Sequence, residues 1–312
     1  MLLRHVILSV AGRPGMERFI RNSRLTRRVV RRFIAGETVE SALEAVAQLR
    51  ESGFRITLDL LGENVRDCET ADRAADAYVD LLERIANSPY HGGFMPENVN
   101  VSVKLTQLGL LQDEQAATRR LERIVQVAAG TRNFVRVDME DSQCTDATLR
   151  AVLAVHSSYR GHVGTVLQSM LYRTEKDLED LIHERVRIRL VKGAYAEPES
   201  IAYQSKRDVD NAFLRYGRRL LEDGIYPAFG THDHRLMEAL IHHATEKRIG
   251  RSRYEFQLLY GIRRDVQRDL LKRGYIVRVY VPYGEHWYPY FTRRLAERPA
   301  NLAFFLRALV GR

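Results

Sequence analysis

The sequence predicts an α/β fold, a distorted (β/α)8 TIM-type barrel with extra helices at its N-terminus. Short apolar or β-branched runs alternate with longer amphipathic segments along the 312 residues, as expected for parallel strands joined by helical crossovers. The alternation occurs eight times, which is the number of units that closes a barrel. The glycine fingerprint G-x-G-x-x-G of the rival doubly wound sheet is absent.

The first strand–helix unit shows the pattern. Residues 54–61 form an apolar run that ends at Gly62, and residues 70–87 place apolar side chains at helical spacing. The same analysis predicts further strands at 98–105, 134–139, 162–168, 187–192, 228–231, 254–259 and 275–281. Each precedes an amphipathic segment, and these helices are predicted at 114–129, 146–156, 175–183, 205–221, 235–247, 264–272 and 288–296.

The segments outside the repeat are predicted to be helical. We expect one domain, 1–312, with the barrel at about 53–301 and a helical segment at 1–50. Thr38 is a candidate N-cap in that segment, although Ser41 stands where a full capping box has Glu or Gln. A short helix is predicted after Pro299.

The composition limits the classes of binding partner but does not identify one. The net charge of +9 is compatible with nucleic acid, an anionic membrane surface or an anionic ligand. The sequence contains no recognised nucleic-acid-binding motif, so we expect no nucleic-acid partner. Its two cysteines are too few for a disulfide framework, and they favour a reducing, cytoplasmic compartment. No apolar run approaches the ~20 residues of a membrane span, so we expect membrane contact to be peripheral.

Polar residues stand at or near the ends of nearly all the predicted strands. The catalytic face of such a barrel is formed by the C-terminal ends of the strands, and there the sequence places Lys104, Asp138, Gln168, Lys192, Thr231 and His232. Taken one at a time, Lys104 could snorkel to the barrel mouth, and Asp138 with Arg189 could be a structural ion pair. Taken together, the polar set predicts a site for a carboxylate or a phosphate, since unpaired buried charges are costly.

The same residues leave two other functional classes to consider. A Schiff-base aldolase-type barrel would use Lys104 or Lys192 as its nucleophile, and a nucleic-acid-binding protein would use the positive charge. We expect no metal site, because His232, Asp233 and His234 are consecutive and successive strand residues point to opposite faces.

Seven short motifs lie at 101–105, 136–140, 166–168, 189–195, 231–232, 254–257 with 259–261, and 290–297. In this order and spacing they resemble the proline dehydrogenase family, both its single-domain bacterial enzymes and the corresponding domain of bifunctional proline utilisation proteins. The resemblance covers about residues 53–301, and the order of the motifs on successive strands makes it specific.

The resemblance implies a substrate site and a cofactor site. It implies that Arg293 and Arg294 bind the carboxylate of L-proline beside Lys104, and that the pyrrolidine ring lies against Tyr280, Tyr290, Leu259 and Tyr195. It implies that FAD binds at the strand ends, with Asp138 and Arg189 as the catalytic residues, Arg189 being near flavin N5. The other implied cofactor contacts are Met139, Gln168, Lys192, Gly193, Ala194, Thr231, His232 and Glu297.

Two positions depart from the family pattern. Ala196 stands where the family commonly has an aromatic residue, although the following acid is kept as Glu197, and Glu297 is followed by Arg298 instead of Asn.

The resemblance also implies the reaction. It is the oxidation of L-proline to Δ1-pyrroline-5-carboxylate, the first step of proline degradation to glutamate, with electrons passed to a membrane quinone. The protein would then be cytoplasmic and peripheral on the inner face of the cell membrane. The apolar tail at 302–310 is either an interfacial helix or packed on the barrel.

Overall fold

The computed structural model describes residues 14–22, 24–93 and 97–297. Eight parallel strands form a closed barrel in the order of the chain, with β8 paired to β1, so the predicted fold class is confirmed. The strands are β1 (Arg55–Leu60), β2 (Val99–Val103), β3 (Val135–Val137), β4 (Val163–Gln168), β5 (Arg187–Val191), β6 (Ala228–Gly230), β7 (Glu255–Leu259) and β8 (Val277–Tyr283).

A helix follows each strand, and within the described residues three helices precede β1. The preceding helices are α1 (Pro14–Asn22), α2 (Arg24–Phe33) and α3 (Val39–Glu51). The helices of the barrel are α4 (Cys68–Ala86), α5 (Glu114–Gly130), α6 (Thr145–Ser158), α7 (Thr174–His183), α8 (Lys206–Asp223), α9 (His234–Glu246), α10 (Arg264–Lys272) and α11 (Trp287–Glu297).

The strands separate apolar from polar side chains. In β1, Ile56 and Leu58 belong to the main apolar cluster that the helices cover. The alternate residue Thr57 contacts Ser102 of β2 inside the barrel at 3.2 Å. The two-residue period of a strand therefore supplies an apolar outer surface and a polar interior.

The lower interior of the barrel contains a group of paired charges, which we call the interior ion-pair layer: Glu97, Arg187, Glu255 and Arg278. Arg278 donates to the Glu255 carboxylate at 2.6 and 3.0 Å, and Arg187 donates to that of Glu97 at 2.7 and 3.1 Å. Burial acts to raise the pKa of Glu97, but Arg187 and Arg278 hold it down at about 2. These paired charges occupy the N-terminal ends of the strands, at the opposite end of the barrel from the residues that line the cavity described below.

The helices before the barrel pack against its last helix. Ile20, Val29 and Phe33 share a second apolar cluster with Trp287 and Phe291 of α11. The indole Nε1 of Trp287 also donates to Glu37 at 2.6 Å across 250 residues of sequence. The N-terminal segment therefore fixes the helix that carries Arg293 and Arg294.

The capping of α3 differs from the prediction. Thr38 is the N-cap as expected, and its Oγ1 accepts from the Ser41 backbone N–H at 3.3 Å. The Ser41 hydroxyl accepts from the Thr38 N–H, also at 3.3 Å, so the capping box is complete. The expectation that Ser41 leaves the box incomplete is wrong, because a hydroxyl at this position reaches the N-cap backbone as Glu or Gln would.

Several strands stop one or two residues before their predicted ends. β3 ends at Val137 and β6 at Gly230, so Asp138 and Thr231 lie in the loops after the strands. The predicted helix after Pro299 and the apolar tail at 302–310 lie outside the described residues. Across the described ranges, no helix combines the length and apolar character needed to cross a membrane.

Candidate active site

A cavity of about 960 Å³ opens at the C-terminal ends of the strands. It collects residues predicted separately for substrate and for cofactor, from positions 104 to 294 of the chain. Those that line it are Lys104, Asp138, Met139, Gln168, Arg189, Lys192, Gly193, Ala194, Tyr195, Thr231, His232, Leu259, Tyr280, Tyr290, Arg293 and Arg294. Glu297 ends α11, and its side chain lies outside the described part of the chain.

Lys104 is buried beside the carboxylate of Asp59. Its Nζ donates to Asp59 Oδ1 at 2.8 Å, and the Lys104 side chain is 10% exposed, so it does not snorkel to solvent. Burial acts to lower the pKa of Lys104, but the carboxylates of Asp59, Asp138 and Glu63 raise it well above its ordinary value. Lys104 is therefore a cation that suits an anionic ligand.

The same electrostatic environment argues against a Schiff-base aldolase-type enzyme with Lys104 or Lys192 as its nucleophile. A nucleophilic lysine needs a neutral amine, which a protein obtains by desolvation or a neighbouring cation. Lys104 is instead surrounded by carboxylates, and Lys192 lies 2.5 Å from Asp210 and 3.5 Å from Asp233.

Arg189 and Tyr280 fix the carboxylate of Asp138 from two sides. Arg189 Nη1 donates to Asp138 Oδ1 at 2.5 Å, and Nη2 donates to Ser102 Oγ at 3.0 Å. The Tyr280 hydroxyl donates to Asp138 Oδ2 at 2.7 Å. Burial and the nearby Asp138 raise the pKa of Tyr280 well above its ordinary value, so this hydroxyl stays a donor. The pair is an ion pair inside the barrel, and it also lines the cavity.

The two arginines of α11 lie on the cavity wall. Arg293 donates to both oxygens of Glu63 at 2.8 and 3.1 Å, in the bidentate geometry that guanidinium makes with carboxylates. Arg294 lies over the ring of Tyr290, 5.0 Å from its centroid. The predicted carboxylate-binding arginine is thus already engaged with a carboxylate of the chain, in the geometry expected for a ligand.

A second group of charges includes the cavity-lining residues Lys192, Lys206 and Asp233. Lys192 and Lys206 both bridge Asp210 and Asp233. His232 Nε2 accepts from the Leu259 backbone N–H at 3.1 Å, which fixes that nitrogen as unprotonated.

The loop that begins with Lys192 passes close to Met170 at Gly193. Gly193 has φ +110°, and a Cβ added there would lie 2.3 Å from Met170 Sδ. Only glycine therefore fits this part of the cavity wall.

The sequence reasoning missed several lining residues, among them Asp59, Glu63 and Lys206. Asp59 carried a usable signal, because it is the alternate partner of Thr57 in an otherwise apolar strand and therefore points inward. Glu63 and Lys206 carried none, since their positions depend on the folded loops. Gln257 is polar and within β7, and its Oε1 is buried without a hydrogen-bond partner.

The fold and the cavity define a (β/α)8-barrel protein with a cavity lined by charged residues at the C-terminal ends of its strands. Residues 42–307 match the family profile described as proline dehydrogenase. The chain belongs to the proline dehydrogenase family, so the resemblance inferred from the motifs is confirmed, and it is an enzyme of that family.

Curated relatives cover the chain almost completely. It is 40% identical over 313 residues to the proline dehydrogenase of Deinococcus radiodurans, covering 99% of this chain and 98% of that one. It is 39% identical over 278 residues to proline dehydrogenase 2 of Bacillus subtilis strain 168, covering 89% of each.

A solved structure shows the same architecture within a larger protein. The N-propargylglycine-inactivated proline utilization A of Bdellovibrio bacteriovorus matches with a TM-score of 0.80 at 26% identity. The match covers 87% of this chain and 33% of that one, so the chain spans about a third of the larger protein.

Proposed function

We propose that this enzyme oxidises L-proline to Δ1-pyrroline-5-carboxylate with FAD and passes the electrons to a quinone. The observation that carries the proposal is the meeting of the predicted substrate set and the predicted cofactor set in one cavity. The relatives named above are proline dehydrogenases, which supports proline as the substrate.

The substrate carboxylate is assigned to Arg293, Arg294 and Lys104. Three cations that line one cavity suit a carboxylate, and guanidinium adds a planar, bidentate donor pair that sets the orientation of the ligand. Tyr280, Tyr290, Leu259 and Tyr195 then lie against the pyrrolidine ring. Fixing both the ring and the carboxylate places the C5 carbon in one orientation, and such alignment contributes several kcal/mol to catalysis.

The cavity residues fit the cofactor. FAD presents a polar ring edge and a pyrophosphate, and the cavity offers Gln168 and Arg189 for the ring with Lys192, Gly193 and His232 for the phosphates. Arg189 Nε and Gln257 Oε1 are buried atoms of cavity-lining residues and lack hydrogen-bond partners. Such atoms are expected where a bound ligand provides the missing partners. When bound, FAD would supply the hydride acceptor, and a cation such as Arg189 beside it favours the reduced form. Met139, Ala194, Thr231 and Glu297 complete the proposed set.

The quinone acceptor requires proximity to a membrane. The net charge of +9 favours an anionic leaflet, so we place the enzyme in the cytoplasm and peripheral on the inner face of the cell membrane. Removing residues 302–312 and measuring sedimentation with anionic vesicles tests whether the tail takes part; unchanged binding shows that it does not.

The proposal is tested by the visible spectrum of the purified holoenzyme under anaerobic conditions. We expect a flavin spectrum that L-proline bleaches and that D-proline, the matched control with reversed stereochemistry, leaves unchanged. A flavin that L-proline does not bleach overturns the substrate assignment. A colourless protein that FAD cannot reconstitute overturns the cofactor assignment.

A further inference from the structure

Only one of the two oxygens of the Asp59 carboxylate has a hydrogen-bond partner. Asp59 lies near the end of β1, is fully buried and lines the cavity. Its Oδ1 accepts from Lys104 Nζ at 2.8 Å, whereas its Oδ2 is buried without any hydrogen-bond partner. A buried carboxylate oxygen without a donor is unfavourable, and it calls for an explanation.

The other cavity carboxylates in the described part of the chain are engaged differently. Both oxygens of Glu63 are held by Arg293, and both oxygens of Asp138 are held by Arg189 and Tyr280. Asp233 caps α9 and pairs with two lysines. Of these four, Asp59 alone has a buried oxygen without a hydrogen-bond partner, because the hydroxyl of the neighbouring Tyr280 donates to Asp138 instead.

We propose that Asp59 binds the ammonium group of L-proline through Oδ2 and accepts its proton. This assignment rests on the proposed function. An amino acid carries its ammonium and its carboxylate on neighbouring atoms, and the site places an anion, Asp59, directly beside a cation, Lys104. The ion pair of the protein is thus complementary to the zwitterion of the substrate.

The proton transfer removes an obstacle to oxidation. A protonated nitrogen has no lone pair with which to form the C5–N double bond of the product. In the proposed step, one N–H bond of the ammonium breaks and one O–H bond forms at Oδ2. The electron pair stays on nitrogen, Asp59 becomes neutral and the bound proline becomes a neutral amine, so both atoms and charge balance.

The surroundings of Asp59 suit a proton acceptor. Burial raises the pKa of the Asp59 carboxyl in spite of Lys104, which makes it a stronger base than an exposed aspartate. Lys104 keeps the ionised form accessible, and Asp138 opposes it. The ionisable groups that face Asp59 from the packed elements are Lys104, Asp138, Tyr78, Tyr280, Tyr283 and Arg293.

The first test is the pH dependence of the Asp59→Asn holoenzyme. Without an internal base, only the free-amine fraction of proline reacts. We expect kcat/KM at pH 7 to fall by about 10² to 10⁴-fold, the usual contribution of a general base. The deficit relative to the wild type should shrink about tenfold per pH unit as the pH rises toward the pKa of the proline amine, since the free-amine fraction grows at that rate. A loss that does not change with pH overturns the assignment.

The second test separates proton acceptance from the positioning of Lys104. Tetrahydrofuran-2-carboxylate keeps the ring and the carboxylate of proline but has an ether oxygen in place of the ammonium. Its binding is measured by the change it causes in the flavin absorbance, independently of turnover. Because this ligand has no ammonium group for Asp59 to bind, we expect its affinity for Asp59→Asn to fall by much less than kcat/KM does. An affinity loss that matches the loss in kcat/KM shows that Asp59 only positions Lys104, and it overturns the assignment.

Two further variants complete the design. Glu63→Gln removes the same charge from the same cavity, and its effect on kcat/KM should not vary with pH; a slope like that of Asp59→Asn overturns the assignment. Asp59→Glu keeps the carboxylate and carries the test if Asp59→Asn does not retain FAD. Its kcat/KM should be lower than that of the wild type but should follow the wild-type pH profile, and a rising slope counts against the proposal.

The failure of the Asp59 assignment and the failure of the proposed function give different results. If L-proline does not reduce the flavin of the wild-type enzyme, the proposed function itself is overturned.

Discussion

Breaking the interior ion-pair layer provides a quantitative test of how the barrel is stabilised. In Glu255→Gln the shape is kept and the charge is removed. The Glu255 carboxylate accepts from Arg278 at 2.6 and 3.0 Å, from the Tyr226 hydroxyl at 2.9 Å and from Gln257 at 2.5 Å. An amide at this position turns at least one of these contacts into a donor facing a donor.

The expected loss follows from what remains around Arg278. This guanidinium is 0% exposed, and without Glu255 it keeps the carbonyls of Ile56 and Glu97 at 2.9 and 3.0 Å and the Glu97 carboxylate at 4.0 Å. Leaving one member of a buried pair uncompensated costs about 3–5 kcal/mol, and the remaining contacts favour the lower end. Over 312 residues, about 3 kcal/mol corresponds to a fall of roughly 5 °C in Tm.

The assay is thermal and guanidinium unfolding followed by circular dichroism. Glu69→Gln is the matched control, since the Glu69 side chain is 84% exposed in its pair with Arg73 and should cost less than about 0.5 kcal/mol. Adding Arg278→Met to Glu255→Gln removes the unpaired charge and should recover stability. A loss below about 1 kcal/mol for Glu255→Gln, or a double variant less stable than the single one, would refute the reasoning.

Three further predictions concern the cavity and its surroundings. Arg294→Lys keeps the charge but loses the fork, so the affinity for tetrahydrofuran-2-carboxylate, measured by flavin titration, should fall about tenfold or more; unchanged affinity removes Arg294 from the carboxylate site. Gly193→Ala forces a Cβ to 2.3 Å from Met170 Sδ at φ +110° and should weaken FAD binding about 10 to 100-fold, as strain of 1–3 kcal/mol predicts; equilibrium dialysis of FAD measures it, and full retention contradicts it. Burial raises the pKa of Glu140 to about 7 from 4.5 although Thr106 donates to it. Protonated Glu140 therefore contributes to the free energy of unfolding, fully below its ordinary pKa of 4.5. This contribution is lost as the pH rises through about 7. Glu140→Gln should flatten that part of the profile of Tm against pH, and an unchanged profile contradicts the assignment.

The barrel could be predicted because each strand and helix is marked by a periodic pattern of apolar residues within its own short segment. An apolar run such as 54–61 and the amphipathic helix after it follow from side-chain periodicity alone, and β1 and α4 were found there within two residues of the expected bounds. The ends of the strands were less accurate. β3 stops at Val137, because pairing ends where the chain turns toward the cavity, and no periodicity in the sequence marks that turn.

The sequence allowed many residues of the candidate site to be predicted, but not which of them form ion pairs with one another. Lys104 and Arg293 were assigned to a substrate carboxylate, whereas the structure pairs them with Asp59 and Glu63. Those pairs depend on the path of the chain at and after β1, and Glu63 joins Arg293 across 230 residues. The inward direction of Asp59 was available from strand alternation, but its choice of partner was not.

The packing of α1 and α2 against α11 has a consequence for the order in which the molecule is assembled. Trp287 meets Glu37 across 250 residues of sequence, and Ile20 and Phe33 belong to an apolar cluster that includes Trp287 and Phe291 of α11. During synthesis the strands can pair one after another as they emerge, but this contact must wait until nearly all of the described chain has been made. Contacts that close such long loops are also slow to form. The segment that carries Arg293 and Arg294 should therefore be the last to become ordered, so that a nascent barrel acquires its binding capacity only when its two ends have met.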